Sequence, residues 1–213
     1  MQVEYEALLS QINPHFLYNT LDTIVWLAEA GQKEQVVSMV QTLSDFFRAS
    51  LNSGKDIVSL EGECRHITSY LQIQQVRYQD ILTYDVDIPE EIANCKIPKI
   101  TLQPLVENAI IHGLSSSSKG GLIYVRCCKK EDKRGLSVAD TGIGIERDKL
   151  KNIRRYIDNI FLSPDTKPAA TAENDNKSDA DNGIKRKTVG VGIGNIAYRI
   201  KGMYNNSGIK IIV

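Results

Sequence analysis

The amino-acid sequence predicts an α+β protein: an N-terminal helical hairpin, then an α/β sandwich of a mixed sheet with helices on one face. Apolar residues recur at helical spacing through positions 1–80, and after Asp80 the period drops to two. Helical and strand patterns then alternate to the end of the chain, which packs as layers. The domains are accordingly 1–80 for the helices and 81–213 for the sandwich.

Residues 4–30 read as one helix. With His15 at zero on a 100-degree wheel, Leu9, Phe16, Leu17, Leu21, Ile24, Val25, Leu27 and Ala28 fall between roughly 100 and 280 degrees. Gln11, Asn19, Asp22 and Glu29 lie within about 40 degrees of His15, which is therefore central on the polar face, with Trp26 the exception there. Pro14 lacks a backbone donor and should bend or loosen the helix just before the histidine. Gly31 reads as a stop and 33–51 as a second amphipathic helix. One hairpin cannot bury both faces, so pairing into a dimeric four-helix bundle is expected.

A turn follows at 52–55, and Ser59 can cap a third helix to about Tyr78, with Leu60, Cys64, Ile67 and Leu71 on its apolar side. His66, on the same segment, has no motif around it and reads as a surface residue. Leu82, Tyr84, Val86 and Ile88 alternate with polar residues up to Pro89, a strand. Further strands are expected at 121–128, 136–139 and 209–213, and helices at 102–112, 146–161 and 193–204. On the 102–112 helix, Leu102, Leu105, Val106 and Ala109 form the buried stripe, while Asn108 and His112 project from another face with Glu107 beside them. Between Ser163 and Thr188 the only large aliphatic residue is Ile184. Such a stretch cannot bury enough to order itself, and its place between two glycine motifs favours a lid at about 163–189.

Composition narrows the function. The 26 basic residues balance 26 acidic ones, so nothing points to nucleic acid or an anionic membrane surface. The 4 cysteines, Cys64, Cys95, Cys127 and Cys128, show no CxxC spacing, and Cys127 and Cys128 would face opposite sides of a strand. A reduced compartment fits best. No apolar run approaches the roughly 18 residues of a membrane span, and the glutamate-bearing N-terminus lacks the basic start of a signal peptide. The chain opens almost directly into a helical pattern, as a fragment of a longer protein would.

The phosphate loop GxxxxGK[ST] is absent, as are the VAIK, HRD and DFG signatures of Ser/Thr/Tyr kinases. Glycines 190, 192 and 194 do not match GxGxxG, and a polar run rather than a strand precedes them. What remains is a set of blocks in fixed order: Gln11-Ile12-Asn13-Pro14-His15-Phe16-Leu17-Tyr18-Asn19, Leu102-Gln103-Pro104-Leu105-Val106-Glu107-Asn108-Ala109, Asp140-Thr141-Gly142-Ile143-Gly144-Ile145, and Gly190-Val191-Gly192-Ile193-Gly194-Asn195. From about Leu8 to Ile200 the chain resembles the sensor histidine kinases whose phosphoacceptor sits in a Pro-His-Phe-Leu-Tyr-Asn motif. Their ATP fold is shared with type II topoisomerases, mismatch-repair ATPases and the ninety-kilodalton chaperones.

The resemblance implies that Mg-ATP phosphorylates His15 and that the phosphate passes to an aspartate of a response regulator. It implies a homodimer, and a cytoplasmic domain of a cell-membrane protein that meets the membrane only through upstream segments outside this chain. Asp140 would accept a hydrogen bond from the adenine amino group, with Gly142 and Gly144 turning the backbone tightly beside the base. Asn108 would ligate Mg²⁺ through its side-chain oxygen, and Glu107 would orient a water or assist at the metal. Gly190, Gly192, Gly194 and Asn195 would seat phosphate at a helix N-terminus. His112 matches the family at the end of its helix, where packing and phosphate contact both stay open. Arg77 in Ile73-Gln74-Gln75-Val76-Arg77-Tyr78 also matches, facing either the nucleotide or a structural ion pair.

The chain departs from related patterns at three points. Many histidine kinases carry an acid after the phosphoacceptor; Phe16 stands here, leaving the base open, with Asn19 and Asp22 nearby on the wheel. Ile111 replaces a residue that is often basic, and the Gly-Thr strand that usually closes the sheet is missing before Val213. Two other readings therefore stay open: an ATP-hydrolysing conformational switch of the chaperone or topoisomerase type, and a catalytically silent nucleotide-sensing dimerisation module. His15 in its motif separates the kinase from both.

Overall fold

The computed structural model describes residues 14–51, 56–78, 81–114, 120–130, 133–162 and 191–204. The expected turn at 52–55, the strand at 209–213 and the 163–189 segment lie outside these, as do Asn13 and the helix expected before Pro14. The chain divides into two compact units, Met1–Ile143 and Gly144–Val213.

In the first unit, α1 (Pro14–Glu29) and α2 (Lys33–Leu51) run into each other through a turn at Gly31. Gly31 has φ +72, its N–H bonds to the Ala28 carbonyl, and the Gln32 N–H reaches back to Leu27. That pair of bonds is the Schellman stop, which a left-handed glycine adopts at little cost. Phe16 and Leu27 of α1 are buried, as are Met39 and Phe46 of α2. Leu21 and Val25 of the same apolar stripe, however, are 44% and 56% exposed, and Val37 and Val40 of α2 are 48% and 49% exposed.

Strand β1 (Ile57–Ser59) leads into α3 (Leu60–Tyr78). The Ser59 hydroxyl accepts the Gly62 N–H at 3.1 Å, the expected cap. Leu60, Cys64, Ile67 and Leu71 are buried as the spacing implies. Burial of each such aliphatic side chain contributes about 1.5–3 kcal/mol. Yet α3 also buries Glu63, His66 and Gln74, because neighbours pack against more than one of its sides. The expectation that His66 is a surface residue is therefore wrong: it is 4% exposed.

The sheet is mixed and has three strands among the described residues. β4 (Gly121–Lys130) is central, parallel to β2 (Leu82–Asp87) and antiparallel to β5 (Lys133–Asp140). Ile123, Val125 and Cys127 of β4 enter the core while Cys128 stays exposed, the alternation expected of adjacent cysteines on a strand. A second, two-stranded sheet pairs β1 with β3 (Lys96–Pro98). These strands are too short to give a period, so the sequence did not announce them.

The helix expected at 102–112 is two elements: α4 (Gln103–Asn108) and a π-helical turn, Ala109–Leu114. Leu102, Val106 and Ala109 are buried and Leu105 half-buried. The Glu63 carboxylate fixes the approach to this helix by accepting the N–H groups of Ile100, Thr101 and Leu102 at 3.0, 2.6 and 2.8 Å. Ile100 has φ +56, a left-handed conformation that a β-branched residue holds only where its surroundings enforce it.

In the second unit, α5 (Arg147–Leu162) packs against α6 (Val191–Met203). Ile153, Ile157 and Ile160 form the buried stripe of α5, and Ile196 and Ala197 that of α6. Lys201 donates to the Ile160 carbonyl at 2.8 Å, satisfying an acceptor at the end of α5.

Candidate active site

His15 and Phe16 are adjacent on α1 and point to different environments. His15 is exposed, and its Nε2 lies 3.1 Å from Asn19 Nδ2, one helical turn on. An amide nitrogen only donates, so Nε2 is the lone-pair nitrogen of the ring in this arrangement. Phe16 is buried against Phe46 of α2 and Tyr70 of α3, with ring centroids 5.0 and 5.1 Å away. Phe16 thus anchors the helix in the core, while His15 is presented to solvent.

Glu107 and Asn108, both half-buried, close α4 just before the backbone widens into the π turn. Such turns recur at functional sites because the extra residue re-aims the side chains around it. Burial pushes the Glu107 carboxyl above its usual range, and the Gln103 hydrogen bond opposes this. Gln103 Nε2 donates to Glu107 Oε1 at 2.9 Å, while Gln103 Oε1 lies 2.8 Å from His66 Nε2. Neither Gln103 nor His66 stood out in the sequence as a functional residue. Gln103 sits inside a motif block, one turn before Glu107, and that spacing was the available signal.

His112 is exposed at the end of the π turn, and Gly113 beside it is buried. Asp140 ends β5, where its Oδ1 accepts the Gly142 N–H at 2.9 Å. Among the described residues Asp140 Oδ2 carries no hydrogen bond. The 140–143 loop is stitched to its neighbours: the Ile143 N–H bonds to the Gly113 carbonyl at 3.2 Å, and Thr141 exchanges two bonds with Leu122. A β-carbon on Gly142 would collide with the Gly113 carbonyl, and one on Gly113 would come within 2.5 Å of Asp140 Oδ1. The two glycines thus let the π turn and the aspartate loop touch. An acceptor oxygen flanked by bare backbone fits the flat edge of a base, which needs a hydrogen-bond partner and little bulk around it.

Within the second unit, Gly144 has φ +72, so the glycine there serves a left-handed turn. Gly192 is half-buried in the first turn of α6, and Asn195 is exposed. Gly194 is buried under Tyr156 of α5; a β-carbon there would lie 2.6 Å from the tyrosine oxygen. Close helix packing is one physical reason for a glycine at that position. Gly190 lies outside the described residues.

Arg77 lies over the ring of Tyr78, 5.2 Å from its centroid. Cys64 and Cys127, unremarkable in sequence, meet in the core with sulfurs 3.8 Å apart. Among the described residues no three His, Cys, Asp or Glu side chains gather to hold a metal, and no helix is long and apolar enough to cross a membrane.

The histidine kinase family model matches residues 3–82. The chain is 41% identical over 173 residues to the sensor histidine kinase YesM of Bacillus subtilis (strain 168), covering 76% of this chain and 30% of that protein. It is 38% identical over 139 residues to the sensor histidine kinase BtsS of Escherichia coli (strain K12), covering 65% and 25%. It is 37% identical over 150 residues to the sensor protein LytS of Oceanobacillus iheyensis, covering 70% and 26%. It therefore spans less than a third of each of these relatives. On this likeness, the chain belongs to the sensor histidine kinase family.

Proposed function

We propose that this chain is the catalytic segment of a sensor histidine kinase, which moves the γ-phosphate of ATP onto His15 and from there to an aspartate of a response regulator. The observation that carries the proposal is the split environment of the motif. His15 is exposed, with Nε2 3.1 Å from Asn19 Nδ2, while Phe16 is buried against Phe46 and Tyr70. Phe16 and Val106, the neighbour of Glu107 on α4, belong to one buried hydrophobic core.

The roles follow from side-chain chemistry. Asp140 Oδ2 accepts from the adenine amino group while Oδ1 is occupied by Gly142, so the aspartate is oriented before nucleotide arrives. Gly142 and Gly144 shape the backbone around the base. Asn108 offers a neutral oxygen for Mg²⁺, which when bound neutralises phosphate charge. Glu107, kept an acceptor by the Gln103 amide, serves beside that metal, and His112 lines the same helix end. Gly190, Gly192, Gly194 and Asn195 take the phosphates at the start of α6. Residues 1–80 are assigned to the dimerising phosphotransfer part and 81–213 to the ATP-binding domain. Exposed Leu21, Val25, Val37 and Val40 give α1 and α2 an apolar surface for pairing with a second hairpin. Upstream segments would attach the protein to the membrane, with this part in the cytoplasm.

Phosphopeptide mapping after incubation with γ-labelled ATP and Mg²⁺ tests the reading. Acid-labile, alkali-stable label on the His15 peptide is expected. Free phosphate released without labelled protein would contradict it and point to a hydrolytic switch.

A further inference from the structure

We propose that His66 and Gln103 are positioning residues for phosphoryl transfer, acting through Glu107: a hydrogen-bond chain running from α3 to α4 fixes where the carboxylate sits and keeps it an acceptor. The inference rests on the catalytic role proposed for Glu107.

The chain has a definite polarity. His66 is held from several sides: its ring is stacked on Phe46 of α2, centroids 4.6 Å apart at 20°, and Ser50 Oγ lies 3.5 Å from Nδ1. The Ser50 hydroxyl proton is directed to the Phe46 carbonyl at 2.9 Å. With Gln103 Oε1 2.8 Å from Nε2, the imidazole carries its proton on Nε2 and donates to the amide oxygen. An amide that presents its oxygen to His66 must present its nitrogen to the other side, where Glu107 Oε1 lies at 2.9 Å.

Among the described residues, His66 holds the oxygen end of the Gln103 amide and Glu107 its nitrogen end, so each hydrogen bond favours the other. Turned over, the amide would offer its oxygen to Glu107, and two facing acceptors can share a hydrogen bond only if the carboxyl is protonated. The histidine thus helps decide which end of the amide the carboxylate meets. It also removes motion: a half-buried glutamate otherwise samples several rotamers, and ordering such a side chain at the moment of reaction would raise the barrier. Because Phe46 and Ser50 belong to α2, the placement of the carboxylate depends on how α2 packs against α3.

Four variants of the full chain test this: Gln103→Met, His66→Phe, Glu107→Gln, and the double variant Gln103→Met with Glu107→Gln. Gln103→Met keeps the length and removes both hydrogen bonds, and His66→Phe keeps a ring on Phe46 but lacks the N–H. Each is expected to lower the kcat of autophosphorylation on the order of 10- to 100-fold, as loss of an outer positioning partner does. The KM for ATP is expected to change less than about threefold, since nothing that holds nucleotide is removed. The double variant is expected to be no slower than Glu107→Gln alone.

Additive losses in the double variant, or normal kcat in Gln103→Met and His66→Phe beside an impaired Glu107→Gln, would overturn the positioning role. Normal activity in Glu107→Gln would instead overturn the role of the acid itself. If His66→Phe loses its cooperative thermal transition, Gln103→Met at its half-buried position decides alone.

Discussion

Gly113 and Asp140 are in contact at a distance that only a glycine permits: a β-carbon on Gly113 would lie 2.5 Å from Asp140 Oδ1. Gly113→Ala is therefore expected to push the aspartate away from its bond with Gly142. If Asp140 holds adenine, ATP affinity should fall roughly ten- to a hundredfold, the effect of leaving a buried donor unpaired. Asp140→Asn should do the same by placing an amide nitrogen opposite the adenine amino group. Calorimetric titration of both variants checks this. Unchanged affinity in either would remove the pair from the nucleotide site.

Glu63 is a structural counterpart. Its carboxylate is 1% exposed and accepts three backbone N–H groups ahead of α4. Glu63→Gln would turn one acceptor into a donor facing donors, and should cost about 1–3 kcal/mol of stability. Urea denaturation monitored by circular dichroism measures it, and a midpoint equal to the parent's would show that water satisfies those amides instead.

Much of the frame was legible in the sequence because it rests on local chemistry. Gly31 stops α1, Ser59 caps α3, and the alternation from Leu82 and from Gly121 marks strands, each within a few residues. What escaped depends on partners distant in sequence. His66 looks like an isolated polar residue until α2 and α4 close on it. Glu63 has no local reason to be buried; its reason is the unpaired backbone at 100–102. The π turn after Asn108 leaves no mark on a pattern read at period 3.6. At the candidate site, Asp140 and the glycines announced themselves as a block, but the contact of Gly113 with Asp140 and that of Gly194 with Tyr156 required three dimensions.

Glu107 should be held at the expense of stability. Burial raises its carboxyl above the usual range, so the folded chain binds the proton more tightly than the unfolded one. Stability then falls as pH rises from the ordinary carboxylate value to the raised one, and stays lower above it. Glu107→Gln, measured without nucleotide, should be more stable than the parent at neutral pH. It should lose that advantage at about pH 3, below the ordinary range for glutamate. Equal urea midpoints at both values would show that the acid costs the fold nothing.

The apolar surface left by Leu21, Val25, Val37 and Val40 should be covered by a second copy. Leu21→Asp with Val25→Asp is expected to shift the chain from dimer to monomer in light scattering at micromolar concentration, with helix content retained. A parent chain that is already monomeric would contradict the pairing.

Phosphate is expected to land on His15, and incubating the parent chain and His15→Gln with γ-labelled ATP and Mg²⁺ tests this. The exposed position of His15 makes a folding defect in the variant unexpected, and ATP binding should be unchanged. The expected result is acid-labile label on the parent and none on His15→Gln. Label of equal intensity on both chains would place the phosphate elsewhere and contradict the assignment.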